Sequence, residues 1–206
     1  MKDKSKYCPK RIVGCDPSFA HFGLAVIDRM HDELHTFDVE MTLGKQDFIN
    51  LSIKSLEQIQ NVANRAETVD KCIFTSLDTV IGMEHALPYG YSSAQLMALD
   101  IQLFNTFNKI RTAVFSPSYL SFIMGKHTKK DSINLAEGLI NIFEKHGYKQ
   151  VSKSGKKHIK DGEAEAFIYA TRMYIRTVKD EITNEIVSLF PLFNEEKEKY
   201  DEDFVY

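Results

Sequence analysis

The chain has 206 residues, of which 43% are hydrophobic and 27% are charged, and its net charge is -3. This is the composition of a globular domain large enough to bury a core, and the slight acidity argues against a uniformly basic coat for nucleic acid. No apolar run is long enough to span a bilayer and no signal-peptide pattern is present, so we expect a cytoplasmic protein without a membrane partner. The three cysteines have no close paired spacing, which disfavours a zinc site or a disulfide framework.

The first part of the chain predicts strands. Residues 12–15 and 24–27 are apolar runs on either side of a turn that contains proline, serine and glycine. Residues 34–41 alternate as a third, antiparallel strand would, and residues 47–67 carry apolar side chains at nearly helical spacing.

Helices predominate in the later part of the chain. We predict strands at 78–84 and 112–115 and helices at 92–110, 130–146 and 163–176.

Three antiparallel strands followed by strands alternating with helices predict an α/β, RNase H-like fold. It has a mixed five-stranded sheet, its first three strands antiparallel, with helices on both faces. We place this nuclease domain at 11–178, after a frayed N-terminus at 1–10 and before a C-terminal extension at 179–206 with an acidic tail.

Five acidic residues stand where the predicted elements end or begin. Asp16 and Glu84 each end an apolar strand, and Asp161, Glu163 and Glu165 open the last predicted helix. The first and fourth strands are neighbours in an RNase H-like sheet, so Asp16 and Glu84 would lie side by side. Asp161 and Glu165 are four residues apart and share one helical face. Structural explanations stay open, since an aspartate can begin an Asx turn and carboxylates at a helix start favour the helix dipole.

Such a set of carboxylates suits magnesium. Mg²⁺ takes hard oxygen ligands and is commonly held by a few carboxylates, waters and substrate phosphate oxygens, and we expect Mn²⁺ to substitute for it. Two ions about 3.5–4 Å apart can activate an attacking water and stabilise the leaving 3′ oxygen of a phosphodiester. The pattern therefore predicts a metal-dependent nuclease site built from distant segments.

Four motifs carry a resemblance to a known family. They are Gly14-x-Asp16-Pro-Ser, Ile81-Gly-Met-Glu84, the basic segment from Phe115-Ser-Pro-Ser to Lys130, and Glu163-Ala-Glu165-Ala-Phe. In these the chain resembles the RuvC-type Holliday-junction resolvases, particularly their divergent phage and viral members. The resemblance implies a structure-selective endonuclease that cleaves four-way DNA junctions by two-metal, magnesium-dependent hydrolysis. It implies a role in recombination, repair or phage genome processing, in the cytoplasm of a bacterium or a phage-infected host cell.

The resemblance also implies a ligand set. The metal ligands and catalytic residues that carry over directly are Asp16, Glu84 and Glu165. The family has two acids three positions apart on its last helix, and the earlier position is Gly162 here. Asp161 or Glu163 must then substitute as a metal ligand, and we prefer Asp161 as the fourth catalytic acid.

Basic and aromatic side chains are candidates for DNA contacts. Lysines can neutralise phosphates without regard to sequence, and a tyrosine beside a metal site can stack on an unpaired base. For each lysine a solvated surface position is the alternative, and the tyrosines could instead close a loop over the core. The candidates are Tyr89, Tyr91, Lys126, Lys129, Lys130, Lys156, Lys157, His158 and Lys160.

The predicted helix at 92–110 bears apolar side chains around its whole circumference. Such a helix is expected to be covered on two sides. The sheet can cover one side, and a second copy in a twofold homodimer can cover the other, which would suit symmetric cutting of two strands. The alternative cover is the apolar cluster at 189–193.

Two other functional classes stay open. One is an RNase H-like nucleic-acid-binding module whose acids are structural. The other is an RNase H-like ATPase, which also opens with a Gly-x-Asp turn. ATPases of that kind duplicate the fold and use a glycine-rich phosphate loop, whereas this chain of 206 residues has 10 glycines and no such loop.

Overall fold

The computed structural model describes residues 8–18, 20–41, 48–71, 73–74, 76–84, 111–115, 118–152 and 159–194. The strands in these ranges are β1 (Arg11–Pro17), β2 (His21–Asp28), β3 (Glu33–Glu40), β4 (Thr79–Glu84), β5 (Arg111–Phe115) and β6 (Lys149–Ser152). The α-helices are α1 (Phe48–Ala66), α2 (Ser118–Met124), α3 (Lys129–Lys145), α4 (Asp161–Thr177) and α5 (Glu181–Leu189), followed by a 3-10 helix at Pro191–Asn194. None of these described helices is long and apolar enough to cross a membrane.

The strands form one sheet in the order β5-β4-β1-β2-β3-β6. β1, β2 and β3 are successive antiparallel neighbours, whereas β4 runs parallel to β1 and β5 parallel to β4. This arrangement confirms the predicted α/β, RNase H-like fold. The described sheet has six strands instead of the predicted five, because β6 pairs in parallel with β3 at the far edge. The four residues of β6 include a single apolar side chain and so give no alternation signal.

Side chains that alternate along the strands belong to two separate hydrophobic cores, one on each face of the sheet. Ile12 of β1 and Val80 of β4 belong to the core beneath α3 and α4. The next residues along these strands, Val13 and Ile81, belong to the core beneath α1. Because strand side chains alternate between faces, the residues two and four positions after Ile12 and Val80 also face α4.

The helix α4 lies very close to β1 and β4. A Cβ atom at Gly14 would overlap the carbonyl oxygen of Ala166, and one at Gly82 would lie 2.9 Å from the carbonyl oxygen of Tyr169. Gly14 and Gly82 are direct partners in the parallel β1–β4 pair. Together they leave a strip of the sheet without side chains, and α4 packs on this strip. The contact limits how closely α4 can approach the sheet and how it can be rotated about its own axis.

The residues after α4 continue the same core. Ile186 of α5 and Phe193 of the 3-10 helix are fully buried in it, and the buried Arg172 guanidinium donates a hydrogen bond to the carbonyl of Phe193. The predicted C-terminal extension therefore packs on the domain up to residue 193, while the domain boundary at 178 stays a prediction. The predicted dimer helix at 92–110 lies outside the described residues, so its cover stays a prediction too.

Candidate metal centre

Three of the predicted acids meet at one rim of the sheet. Asp16, Glu84 and Glu165 each offer one carboxylate oxygen, and these three oxygens lie within 4.8 Å of one another. Asp16 stands near the end of β1, Glu84 at the end of β4, and Glu165 in the second turn of α4. All three residues are partly exposed, so an ion or a phosphate can reach them from solvent.

The strand periodicity explains why the first two acids are neighbours. Asp16 lies two residues beyond Gly14 and Glu84 two residues beyond Gly82, and these glycines are partners in the parallel pair. Both carboxylates therefore point to the α4 face, at the carboxyl ends of adjacent strands. The predicted juxtaposition of Asp16 with Glu84 is confirmed, whereas metal binding by them stays a prediction.

Burial and mutual repulsion make it unfavourable for all three carboxylates to be charged when no cation is bound. Burial, followed by the negative charges of Glu84 and Glu165, raises the pKa of Asp16 well above its usual range. Burial also raises the pKa of Glu165, an effect that a hydrogen bond from Ser132 partly opposes and the charge of Asp161 reinforces. Like charges at this separation disfavour ionisation, and a divalent cation between the carboxylates would reverse that effect.

Two side chains that the sequence analysis missed hold these acids in place. The Tyr169 hydroxyl donates a hydrogen bond to Glu84 Oε2 at 3.2 Å, and the buried Ser132 hydroxyl donates one to Glu165 Oε1 at 3.2 Å. Tyr169 lies four residues after Glu165 on the same face of α4, a spacing that could have revealed it. Ser132 gave no such signal, because it stands 33 positions before Glu165 in the chain.

Tyr169→Phe is expected to weaken the binding of a divalent cation about tenfold, because a ligand loses the hydrogen bond that orients it. It should also lower the free energy of unfolding by about 1 kcal/mol. Burial, then the charges of nearby carboxylates, raises the pKa of Tyr169, so its hydroxyl stays protonated and remains the donor. Calorimetric titration with Mn²⁺ and urea denaturation measure the two effects. Unchanged affinity for Mn²⁺ would show that other contacts orient Glu84.

The other two acids at the start of α4 have partners of their own. Asp161 forms an ion pair with Lys129, although its charge still contributes to the raised pKa of Asp16. Glu163 is fully buried, and its Oε2 accepts a hydrogen bond from the backbone N–H of Lys160 at 2.8 Å. A capping box has two hydrogen bonds, and this is the one in which the side chain of the third helical residue accepts from the N-cap backbone N–H. Both ligand roles stay predictions, and the geometry favours Asp161 over Glu163.

Only some of the residues predicted to contact DNA lie within the part of the chain that the structure describes. The Lys160 ammonium forms an ion pair with Asp38 of β3, whose buried carboxylate also lies 3.2 Å from His21 Nδ1. Lys160 thus ties the start of α4 to the sheet. Lys126 and Lys130 are exposed beside the start of α3. The candidates that lie outside the described residues are Tyr89, Tyr91, Lys156, Lys157 and His158.

No family model matches the sequence, and no curated protein matches it. The chain is similar to two solved structures of RuvC from Thermus thermophilus. One of them, in complex with a Holliday junction substrate, is 16% identical with a TM-score of 0.43, over 82% of this chain and 96% of that chain. The other is 14% identical with a TM-score of 0.44, over 81% of this chain and 97% of that chain.

The donor set fits a hard divalent cation. Asp16, Glu84 and Glu165 supply oxygen atoms alone, which are the ligands that Mg²⁺ and Mn²⁺ accept. Their partial exposure leaves the outer side of the centre open to waters and to phosphate oxygens. The arrangement is therefore suited to bringing a cation, a water and a phosphodiester together.

Proposed function

We propose that this protein is a structure-selective endodeoxyribonuclease that hydrolyses four-way DNA junctions with magnesium, in recombination, repair or phage genome processing. The observation that carries the proposal is the convergence of Asp16, Glu84 and Glu165 from two neighbouring strands and one helix. A structural role accounts for it poorly, because an Asx turn or a helix cap uses one carboxylate. Three carboxylates that repel one another are stabilised together by a cation.

In this proposal Asp16, Glu84 and Glu165 hold Mg²⁺, with Mn²⁺ able to substitute. A cation bound there would lower the pKa of a coordinated water, so that it can attack at neutral pH, and would neutralise charge on the phosphate. In the reaction a water oxygen joins the phosphorus and the bond to the 3′ oxygen breaks, which leaves a 5′ phosphate and a 3′ hydroxyl. The residues that orient the ligands are Tyr169, which holds Glu84, and Ser132, which holds Glu165.

The choice of a four-way junction as substrate depends on the sequence motifs and on the basic residues near the centre. Lys126 and Lys130 are exposed at the start of α3, the helix whose Ser132 contacts Glu165. A phosphate backbone that approaches the centre from this side would pass both lysines. In the same proposal, a homodimer formed through 92–110 presents two centres to two strands in the cytoplasm.

The decisive test is cleavage of a radiolabelled four-way junction by metal-free protein to which Mg²⁺ is added back. Linear duplex of the same sequence and hydrolysis of ATP are the controls. We expect magnesium-dependent cleavage of the junction, little cleavage of the duplex and no release of phosphate from ATP. Junction binding without cleavage would favour the non-catalytic module, and ATP hydrolysis would favour the ATPase.

Replacing Lys126 and Lys130 together with alanine is expected to weaken junction binding. The slope of log affinity against log salt should fall by about 0.9 for each phosphate that the protein no longer neutralises, because fewer counterions are released. Fluorescence anisotropy across a series of salt concentrations measures this slope. Lys179→Ala is the matched control, since Lys179 is an exposed lysine just beyond the other end of α4. A slope unchanged in the double variant would show that the two lysines only face solvent.

A further inference from the structure

Gly162 lies beside Asp16 at the start of α4. A Cβ atom built on Gly162 would lie 3.4 Å from Asp16 Oδ2 and 3.6 Å from the backbone of Gly23 in β2. A Cβ atom at this position would therefore face Asp16 in ordinary van der Waals contact. The resemblance described above implies an acid at this position, and glycine leaves the place beside Asp16 without that carboxylate.

The acids on either side of Gly162 each have a partner within the protein. Glu163 is fully buried and its carboxylate caps α4 through the backbone N–H of Lys160. Asp161 is close enough to raise the pKa of both Asp16 and Glu165, but its carboxylate is paired with the Lys129 ammonium. A second divalent cation would therefore have to compete with the Lys129 ammonium for Asp161.

The packing of α3 on α4 places the backbone of Lys129 beside the centre. Ser132 lies three residues after Lys129, on the same face of α3, and its hydroxyl binds Glu165. That contact holds the first turn of α3 against the centre, so the Lys129 ammonium lies within electrostatic range of Asp161, Glu165 and Asp16. The Lys129 side chain is 81% exposed, which leaves its ammonium accessible to a phosphate.

We propose that the chain binds a single divalent cation on Asp16, Glu84 and Glu165, and that the Lys129 ammonium supplies the positive charge of a second one. This inference rests on the proposed nuclease function and changes its expected stoichiometry from two cations to one. Lysine is a compact point charge that binds phosphate oxygens. Held against Asp161, the ammonium can stabilise the charge that develops on the phosphate and the leaving 3′ oxygen.

Counting Mn²⁺ tests the stoichiometry without any need for cleavage. Metal-free protein is titrated with Mn²⁺, and the free ion is measured by electron paramagnetic resonance. We expect one bound Mn²⁺ per wild-type chain. The double variant Gly162→Asp with Lys129→Gln should bind two, because it gains a carboxylate beside Asp16 and frees Asp161. The matched control, Gly162→Ala with Lys129→Gln, should bind one. Two ions on the wild-type chain, or one on the Asp variant, would overturn the inference.

Cleavage of the four-way junction tests the role of the charge. Lys129→Gln should lower the cleavage rate about 100-fold, as the loss of a group that stabilises transition-state charge does. Lys129→Arg keeps the charge in a different shape and should lose less activity than Lys129→Gln. Equal rates for wild type and Lys129→Gln would overturn the inference while the nuclease function stands. One bound Mn²⁺ in a chain that cleaves no junction would contradict the nuclease function and still support the single-cation site.

Discussion

Asp16→Asn is expected to abolish magnesium-dependent cleavage of a four-way junction, with a loss of about a thousandfold or more. The reason is that Asp16 lies within range of the charges of Glu84, Glu165 and Asp161, and its own charge is required to hold the cation with Glu84 and Glu165. Removing a cation that lowers a barrier by about 4 kcal/mol costs about three orders of magnitude in rate. Single-turnover cleavage assays measure the loss, and Glu84→Gln should behave alike.

Binding and stability separate this effect from unfolding. Asparagine adds no bulk and removes a negative charge near the DNA phosphates, so the affinity for the junction should stay equal or rise. Without metal, the variant should be more stable than wild type, because the repulsion around Asp16 is relieved. Mg²⁺ should raise the melting temperature of wild type and not that of the variant. A variant that still cleaves at a tenth of the wild-type rate would remove Asp16 from the proposed centre.

The pKa of Asp16 also predicts how stability depends on pH in the metal-free protein. Since the folded-state pKa is raised above the unfolded one, the folded chain binds more protons than the unfolded chain between the two values. Stability therefore falls as pH rises from about 3.9, the ordinary aspartate value, to the folded pKa. Asp16→Asn should flatten this part of the profile. Urea denaturation at a series of pH values checks it, and parallel profiles for both proteins would contradict it.

Gly14→Ala is expected to lower the free energy of unfolding by about 3 kcal/mol or more and to disrupt the metal centre. Its added methyl group would occupy the position of the Ala166 carbonyl oxygen, which belongs to the backbone of α4 and cannot rotate away. Forcing extra volume into a packed core costs about 1–3 kcal/mol and sometimes more. Here the whole helix must shift, and Glu165 shifts with it. Urea denaturation and Mn²⁺ binding measure the two consequences.

Gly138→Ala is the matched control for that substitution. Gly138 lies within α3, and a Cβ atom there would meet nothing within 4 Å. The same chemical change should therefore stabilise the protein by about 0.5–1 kcal/mol, because alanine favours a helix over glycine. If the two variants were equally stable, the close contact between β1 and α4 would not exist as described.

Local sequence patterns were sufficient to predict most of the helices and strands. The strands β1 to β5 and the helices α1, α3 and α4 lie where apolar periodicity predicts them, because an element with one buried face repeats its apolar residues at its own period. The elements α2, α5 and β6 were missed. They have 7, 9 and 4 residues, too few for a reliable period. Tyr119 of α2 and Ile186 of α5 show that they gain order by packing on the core.

The positions of Asp16 and Glu84 near the ends of two strands were determined by the sequence itself, because side chains along a strand alternate with a two-residue period. The pairing of those two strands belongs to the tertiary structure. Which acid of α4 joins them was decided only by the tertiary structure. Contact with Gly14 sets the rotation of α4, so that Glu165 faces the centre while Glu163 is buried. The hydrogen bond to Glu84 likewise comes from a residue 85 positions later in the chain. Periodicity describes one element at a time, whereas the orientation of two distant elements depends on how their surfaces pack.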